Sequence, residues 1–135
     1  MKAGNLKKLV IGLATLAAVA VVLVEGFNCA YIIGEKVQVK IKVEEGQKKL
    51  DESNYTGAIE NFRGAIKIDP LNIDAYWGVA SAYIGLEDYD AAVDVLQNAD
   101  KMISIIGEGI EAATCRNELK VRLEQIEAYK LSANS

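Results

Sequence analysis

Residues 44–70 read EEGQKKLDESNYTGAIENFRGAIKIDP, and residues 74–101 read DAYWGVASAYIGLEDYDAAVDVLQNADK. A shift of 34 residues superposes the two stretches, because small and bulky residues then fall at the same positions. A fixed period of this length indicates a repeated supersecondary unit. The matched pairs are Tyr55 with Tyr89, Ala58 with Ala92, Phe62 with Leu96, Ala65 with Ala99, and Gly46 with Ala80.

The spacing within the first unit is helical. Ala58, Phe62 and Ala65 recur at four and three residues, which places them on one face of an α-helix. The alanines let two helices approach closely, and the aromatic ring fills the space between them. Asp69-Pro70 ends this unit, because proline cannot continue a helix and favours an extended residue before it. Turns that fold each helix pair into a hairpin are predicted at Asn54 and at Glu87-Asp88.

Both units resemble the tetratricopeptide repeat (TPR), and the resemblance covers residues 43 to about 102. It implies an all-α fold of two helical hairpins over residues 43–106, built to bind other proteins rather than to catalyse a reaction. The first helix of the second unit fits the repeat best, through Tyr76, Val79, Ala80 and Tyr83. The first unit has Lys42, Glu45, Gly46 and Lys49 there, so we expect its first helix to form the solvent-facing edge of the stack.

The segment before the repeats is ambiguous. Residues 37–43 read VQVKIKV, a strict alternation with β-branched residues that is typical of a strand. We expect residues 34–42 to connect the membrane segment to the repeats, and we leave open whether residues 37–43 form a helix or a strand.

An amphipathic helix is predicted after Gly107-Glu-Gly109. From Ile110 to Leu131, apolar residues recur at spacings of three and four, which marks one buried face. Repeat arrays end in a unit whose outer face is polar, so residues 107–131 are predicted to cap the stack rather than to form a third binding repeat. The predicted buried residues are Ala112, Cys115, Leu119, Leu123 and Ile126, and the predicted polar face holds Glu118, Lys120, Arg122 and Glu124.

The N-terminus carries a hydrophobic segment behind a short basic tail, residues 1–8. Residues 9–24 read LVIGLATLAAVAVVLV, sixteen residues without a charge. A bilayer core of about 30 Å needs roughly 20 helical residues, so we predict a transmembrane helix over residues 9–33. A secretory signal peptide is the alternative, since Lys7 and Lys8 precede the apolar run. Cleavage after Ala20 would leave VVLVEGF exposed, so we expect an uncleaved, single-pass anchor.

Basic residues flank this predicted span evenly, with Lys2, Lys7 and Lys8 before it and Lys36, Lys40 and Lys42 after it. Because the first three lie on a short tail without acids, we expect the N-terminus in the cytoplasm and the repeat domain in the periplasm or outside the cell. The span includes Glu25, which either reaches the headgroups or contacts another subunit inside the bilayer.

The TPR resemblance also implies a binding groove. In its register Trp77, Ser81 and Ile84 lie on the face that lines the groove, and Gln47 and Leu50 extend that face onto the first unit. The alternative is that Trp77 is a core residue and that the C-terminal helix fills the groove. No two cations converge at these positions, so the groove does not match the clamp with which some TPR domains bind a chaperone's C-terminal carboxylate.

Composition excludes several functions. The chain has no histidine and only Cys29 and Cys115, so the common zinc and thiol-imidazole sites cannot be assembled, and we predict no catalytic residues, metal or cofactor. Residues 1–34 carry a net charge of +2, from three lysines and one glutamate, and the total of −4 leaves −6 on residues 35–135. Nucleic-acid binding needs a basic surface, so nucleic acid is not an expected partner.

The sequence therefore predicts a membrane-anchored TPR protein that acts as an accessory or scaffold subunit of a membrane complex. Its expected partners are membrane lipid and other protein subunits, with a homo-oligomer as a further option. The alternative is a pilin-like subunit whose hydrophobic helices bundle into a filament core. The processing motif of type IV pilins, a glycine at the cleavage point and a glutamate five residues into the mature chain, does not follow Gly4 or Gly26.

Overall fold

The structure is a computed structural model that describes residues 31–133. Every regular element within that range is an α-helix, which confirms the all-α prediction for this part of the chain. The packing described below lies within the compact unit that begins at Val37. The helices are α1 (residues 31–51), α2 (Tyr55–Ile68), α3 (Ile73–Gly85), α4 (Tyr89–Ile106) and α5 (Gly109–Ala133).

The predicted transmembrane helix over residues 9–33 and Glu25 lie outside the described residues, apart from residues 31–33. None of the helices within residues 31–133 is both long enough and apolar enough to cross a bilayer.

Residues 34–42, predicted as a connector, are helical, and the strand interpretation of residues 37–43 is wrong. The reason is packing on one helical face. Val39 and Gly46 are buried, and Val43 and Leu50 are half-buried, at spacings of four, three and four residues. Val39, Val43 and Leu50 pack against the core that α2 provides, and Gly46 lies against the ring of Phe62. Ile41 of the alternating pattern is exposed. Burial of this stripe therefore outweighs the strand preference of the β-branched residues.

At both predicted turns, a side-chain N-cap starts the second helix of the hairpin. The side chains of Asn54 and Asp88 cap α2 and α4, accepting hydrogen bonds from the backbone N–H groups of Gly57 at 3.1 Å and Ala91 at 3.0 Å. Such a cap replaces one missing backbone partner at a helix start. Asn72 caps α3 in the same way, with a 2.9 Å bond from the N–H of Ala75. The hairpin turns and the end of α2 at Asp69-Pro70 are thus confirmed.

The repeated residues form the core, as the spacing predicts. The matched alanines and the bulky residue between them on α2 and α4 are at most 1% exposed. The Phe62 ring lies against two glycines of neighbouring helices, Gly46 on α1 and Gly78 on α3, so that the helices approach closely around it. The residues of this repeated pattern are Ala58, Phe62 and Ala65 on α2, and Ala92, Leu96 and Ala99 on α4.

Helix α5 packs against α4 and α3 through the predicted apolar face. Ala112, Leu119 and Ile126 are buried, and Cys115 and Leu123 are half-buried against them. The predicted polar face is confirmed at Glu118, Lys120 and Glu124, which are exposed. It is wrong at Arg122, whose guanidinium lies over the ring of Trp77.

Candidate functional site

The faces of α1 and α3 border a cleft of about 490 Å³. Its surface combines an aromatic and aliphatic floor with polar side chains around it, and two acids supply its charge. The lining residues are Val43, Glu44, Gln47 and Leu50 from α1, Phe62 from α2, and Asp74, Trp77, Gly78 and Ser81 from α3.

Four of the five predicted groove residues line this cleft: Gln47, Leu50, Trp77 and Ser81. They come from the first helices of the two repeat units, so the hairpin arrangement brings together positions about 30 residues apart in sequence. The fifth, Ile84, is not in the lining and packs half-buried against the core that α3 shares with α4 and α5. Its place one turn beyond Ser81 carries it past the end of the cleft.

Trp77 has two roles in the structure. Its indole is half-buried against the core, and it also lines the cleft. Arg122 of α5 lies 5.0 Å from the ring centroid, a cation–π geometry, and its Nη2 donates to Asp74 Oδ1 at 3.5 Å. The C-terminal helix therefore braces the aromatic residue of the groove without closing the cleft.

Sequence reasoning missed the role of Arg122, although a signal was present. Leu119, Arg122 and Ile126 are spaced by three and four residues, so Arg122 belongs to the same helical stripe as two fully buried residues. A long arginine side chain at such a position can cover apolar surface with its stem and stack its planar head on an aromatic ring.

The charged and polar side chains around the cleft form solvent-exposed contacts with their neighbours. Glu44 forms an ion pair with Lys40 at 3.8 Å, and both side chains are mostly exposed. Gln47 Nε2 donates to Asp51 Oδ1 at 3.0 Å on the exposed side of α1. Exposed contacts of this kind contribute little to stability and exchange readily with water or a ligand. The cleft can therefore offer amide, hydroxyl and carboxylate groups to a partner.

Tyr76, next to Trp77 in sequence, points into the core instead. Burial raises the pKa of the Tyr76 phenol, and the negative charge of Asp69 raises it further. The phenol accordingly stays neutral over the physiological range and acts as a packing residue.

Residues 49–102 match a protein-family model described as "Tetratricopeptide repeat". This match lies within the range over which the sequence resembles that repeat, and it supports the resemblance. Proteins of this family typically bind other proteins and are typically non-catalytic.

Proposed function

We propose that this protein is a non-catalytic accessory or scaffold subunit of a membrane complex, in which the predicted helix over residues 9–33 provides the anchor and the repeat domain docks a partner protein. The observation that carries the proposal is the cleft between α1 and α3, where Gln47, Leu50, Trp77 and Ser81 face one space. Apolar surface with a few polar groups around it is the usual composition of a peptide-binding groove.

The groove residues offer a partner two kinds of contact, apolar packing and hydrogen bonds. Leu50 and Trp77 offer apolar contact to a partner's side chains, and Gln47 and Ser81 offer hydrogen bonds to its backbone. Because Trp77 is braced by Arg122 and by the core, little side-chain entropy is lost when a partner covers it. Ile84 supports this face from the core side.

The pilin-like alternative relies on a different observation. At the corner between α4 and α5, Ile105 and Ile110 are 77% and 87% exposed, and Met102 and Ile106 beside them are also exposed. A group of aliphatic side chains at one corner favours contact with another protein surface. In this alternative the aliphatic group contacts a neighbouring copy of the chain, and the hydrophobic helices of the copies bundle into a filament core.

Replacing Ser81 by arginine tests the groove. Ser81→Arg places a long charged side chain in the cleft from a half-buried position, so it should block docking without emptying the core. Asn98→Arg, on the exposed side of α4, is the matched control. Each full-length chain is extracted from native membranes in mild detergent, and co-purifying proteins are identified by mass spectrometry.

We expect a partner that co-purifies with the wild-type chain and with Asn98→Arg to be lost from Ser81→Arg, with helix content by circular dichroism unchanged. Retention of that partner by Ser81→Arg would show that the groove is not the docking surface. Recovery of the chain alone, in fibres visible by electron microscopy, would favour the pilin-like alternative.

A further inference from the structure

A second cleft, of about 510 Å³, lies between α4 and α5 and shares no lining residue with the groove. Ala113, which is exposed, and Leu123, which is half-buried, contribute apolar surface to it from α5, above the fully buried Leu119. Gln97 and Asn117 face it with amide groups, one from each helix. The TPR resemblance assigned no role to this surface.

The charge of this cleft is opposite to that of the domain around it. Residues 37–133 hold 17 acids and 11 cations, a net charge of −6. The cleft is lined by three cations, Lys101, Arg116 and Lys120, and by a single acid, Asp100. A local excess of positive charge on an acidic domain attracts anionic groups over about a Debye length, roughly 8 Å at physiological salt.

The one acid orients a cation of the cleft rather than cancelling all three. Arg116 Nε donates to Asp100 Oδ1 at 2.9 Å, which fixes the plane of the guanidinium. Within residues 31–133, no acceptor bonds the terminal amino groups of Arg116 or the ammonium groups of Lys101 and Lys120. The free edge of a guanidinium presents two parallel N–H donors, the geometry that a carboxylate accepts.

We propose that the α4–α5 cleft binds an acidic peptide segment of a protein partner, with glutamate or aspartate side chains placed next to aliphatic ones. Carboxylates pair with Lys101, Arg116 and Lys120, and aliphatic side chains pack on Ala113 and Leu123. The amides of Gln97 and Asn117 bond the peptide backbone, since each provides both a donor and an acceptor. A phosphate ion would satisfy the cations but would leave the apolar surface and the amides unused.

Fluorescence polarisation with labelled peptides tests the proposal on the full chain in a non-ionic detergent. The probe is a short peptide of alternating glutamate and leucine, and the comparison peptides replace glutamate by glutamine or by lysine. We expect the glutamate peptide alone to bind. Raising salt from about 0.1 M to about 1 M shortens the Debye length from about 10 Å to about 3 Å and should weaken this binding.

The site variant is the double substitution Lys101→Gln and Lys120→Gln, both at exposed positions. Removing one exposed ion pair weakens binding by about two- to fivefold, so the double variant should bind on the order of tenfold more weakly. Lys48→Gln, an exposed lysine on α1, is the matched control and should bind as the wild type does.

Three results would overturn the proposal: no binding of the glutamate peptide, equal binding of the glutamine peptide, or an unchanged affinity in the double variant. Displacement by inorganic phosphate or glycerol phosphate at the concentration at which the peptide itself competes would assign the cleft to small anions or lipid headgroups instead. None of these results bears on the α1–α3 groove, because the two clefts share no residue.

Discussion

The ring of Phe62 leaves no room for a side chain larger than glycine's at the two glycine positions that contact it. The side chain is 1% exposed, and it lies between a glycine of α1 and a glycine of α3. A Cβ atom added at Gly46 would approach the ring to 2.9 Å, and one added at Gly78 would overlap it. Because the ring is enclosed on both sides, it cannot move away from one glycine without approaching the other.

We therefore expect Gly78→Ala to destabilise the domain. Alanine favours a helix interior over glycine by about 1 kcal/mol, whereas overpacking a core costs about 1 to 3 kcal/mol. Because the ring is enclosed on both sides, we expect the upper part of that range, about 2 to 3 kcal/mol, and so a net loss of about 1 to 2 kcal/mol. In a domain of this size that corresponds to a lower melting temperature by roughly 4 to 16 °C. Thermal unfolding followed by circular dichroism on the full chain in detergent measures it.

Gly64→Ala is the matched control for this prediction. Its added Cβ would meet only the flexible side chain of Lys42, at 3.1 Å, so the helix-forming gain should prevail. If Gly78→Ala melts with or above Gly64→Ala, the ring of Phe62 is less confined than described here.

The structural roles of some residues could be predicted from the sequence, and those of others could not. The alanines and Phe62 were predictable, because the repeat places them at one helical spacing in both units. Gly78 carries no such signal, since a glycine inside a helical pattern indicates only a weaker helix until its neighbour is known. Arg122 was missed because its charge suggested solvent, whereas its position on the stripe with Leu119 indicated contact.

Helix α5 depends on a few buried side chains along its 25 residues. Leu119 is fully buried at its centre, between Ala112 and Ile126. Two ion pairs lie on either side of Leu119 along the helix: Arg116–Asp100, with an N–O distance of 2.9 Å, and Arg122–Asp74, at 3.5 Å. Ion pairs with solvent-exposed members contribute little to stability. Apolar packing centred on Leu119, together with Ile126 and Ala112, thus contributes most of the attachment of α5 to the rest of the domain.

We expect Leu119→Ala to loosen α5 as a unit. Leu→Ala in a packed core costs about 2 to 5 kcal/mol, a large share of a total stability of about 5 to 15 kcal/mol. Hydrogen–deuterium exchange should show faster exchange over Gly109–Ala133, with smaller changes in α2 and α3. Val121→Ala, on an exposed face of the same helix, should leave exchange unchanged. Equal exchange in the two variants would mean that α5 is held by something other than Leu119.

Among the elements, those with a helical stripe and a cap were predictable from the sequence. Asn54 and Asp88 end the turns that open α2 and α4, and Asp69-Pro70 closes α2. Residues 37–43 were not predictable, because their alternation fits a strand and their i, i+4 spacing fits a helix equally well. Contact with α2, which only the assembled fold provides, decides between them.

At the scale of the whole molecule, the N-terminal segment and the rest of the chain carry net charges of opposite sign. The segment over residues 1–34 has a net charge of +2 and is mainly apolar, and residues 35–135 have −6. This division fits the proposed arrangement of an anchor with an acidic domain outside the bilayer. It also makes Glu25 conspicuous, since it is the one acid among the first 34 residues.

Exchanging Glu25 for glutamine separates the two uses of the predicted membrane helix. If Glu25 only reaches the headgroups, Glu25→Gln should leave assembly unchanged, since the two side chains have the same length and glutamine costs less to bury. If Glu25 pairs inside the bilayer with a lysine or the amino terminus of a neighbouring chain, the exchange leaves that cation unpaired. A buried pair broken from one side costs roughly 3 to 5 kcal/mol, enough to dissociate a complex or filament during extraction.

If Glu25 is paired, we expect the detergent-extracted assembly of Glu25→Gln to be smaller than that of the wild type at equal expression. Size-exclusion chromatography with light scattering measures the assembly, and circular dichroism checks that the repeat domain stays folded. Glu35→Gln, at the other acid that precedes residue 37, is the control and should keep the wild-type size. An unchanged assembly in Glu25→Gln would place the carboxylate at the headgroups, and the partner contact would then have to come from the repeat domain.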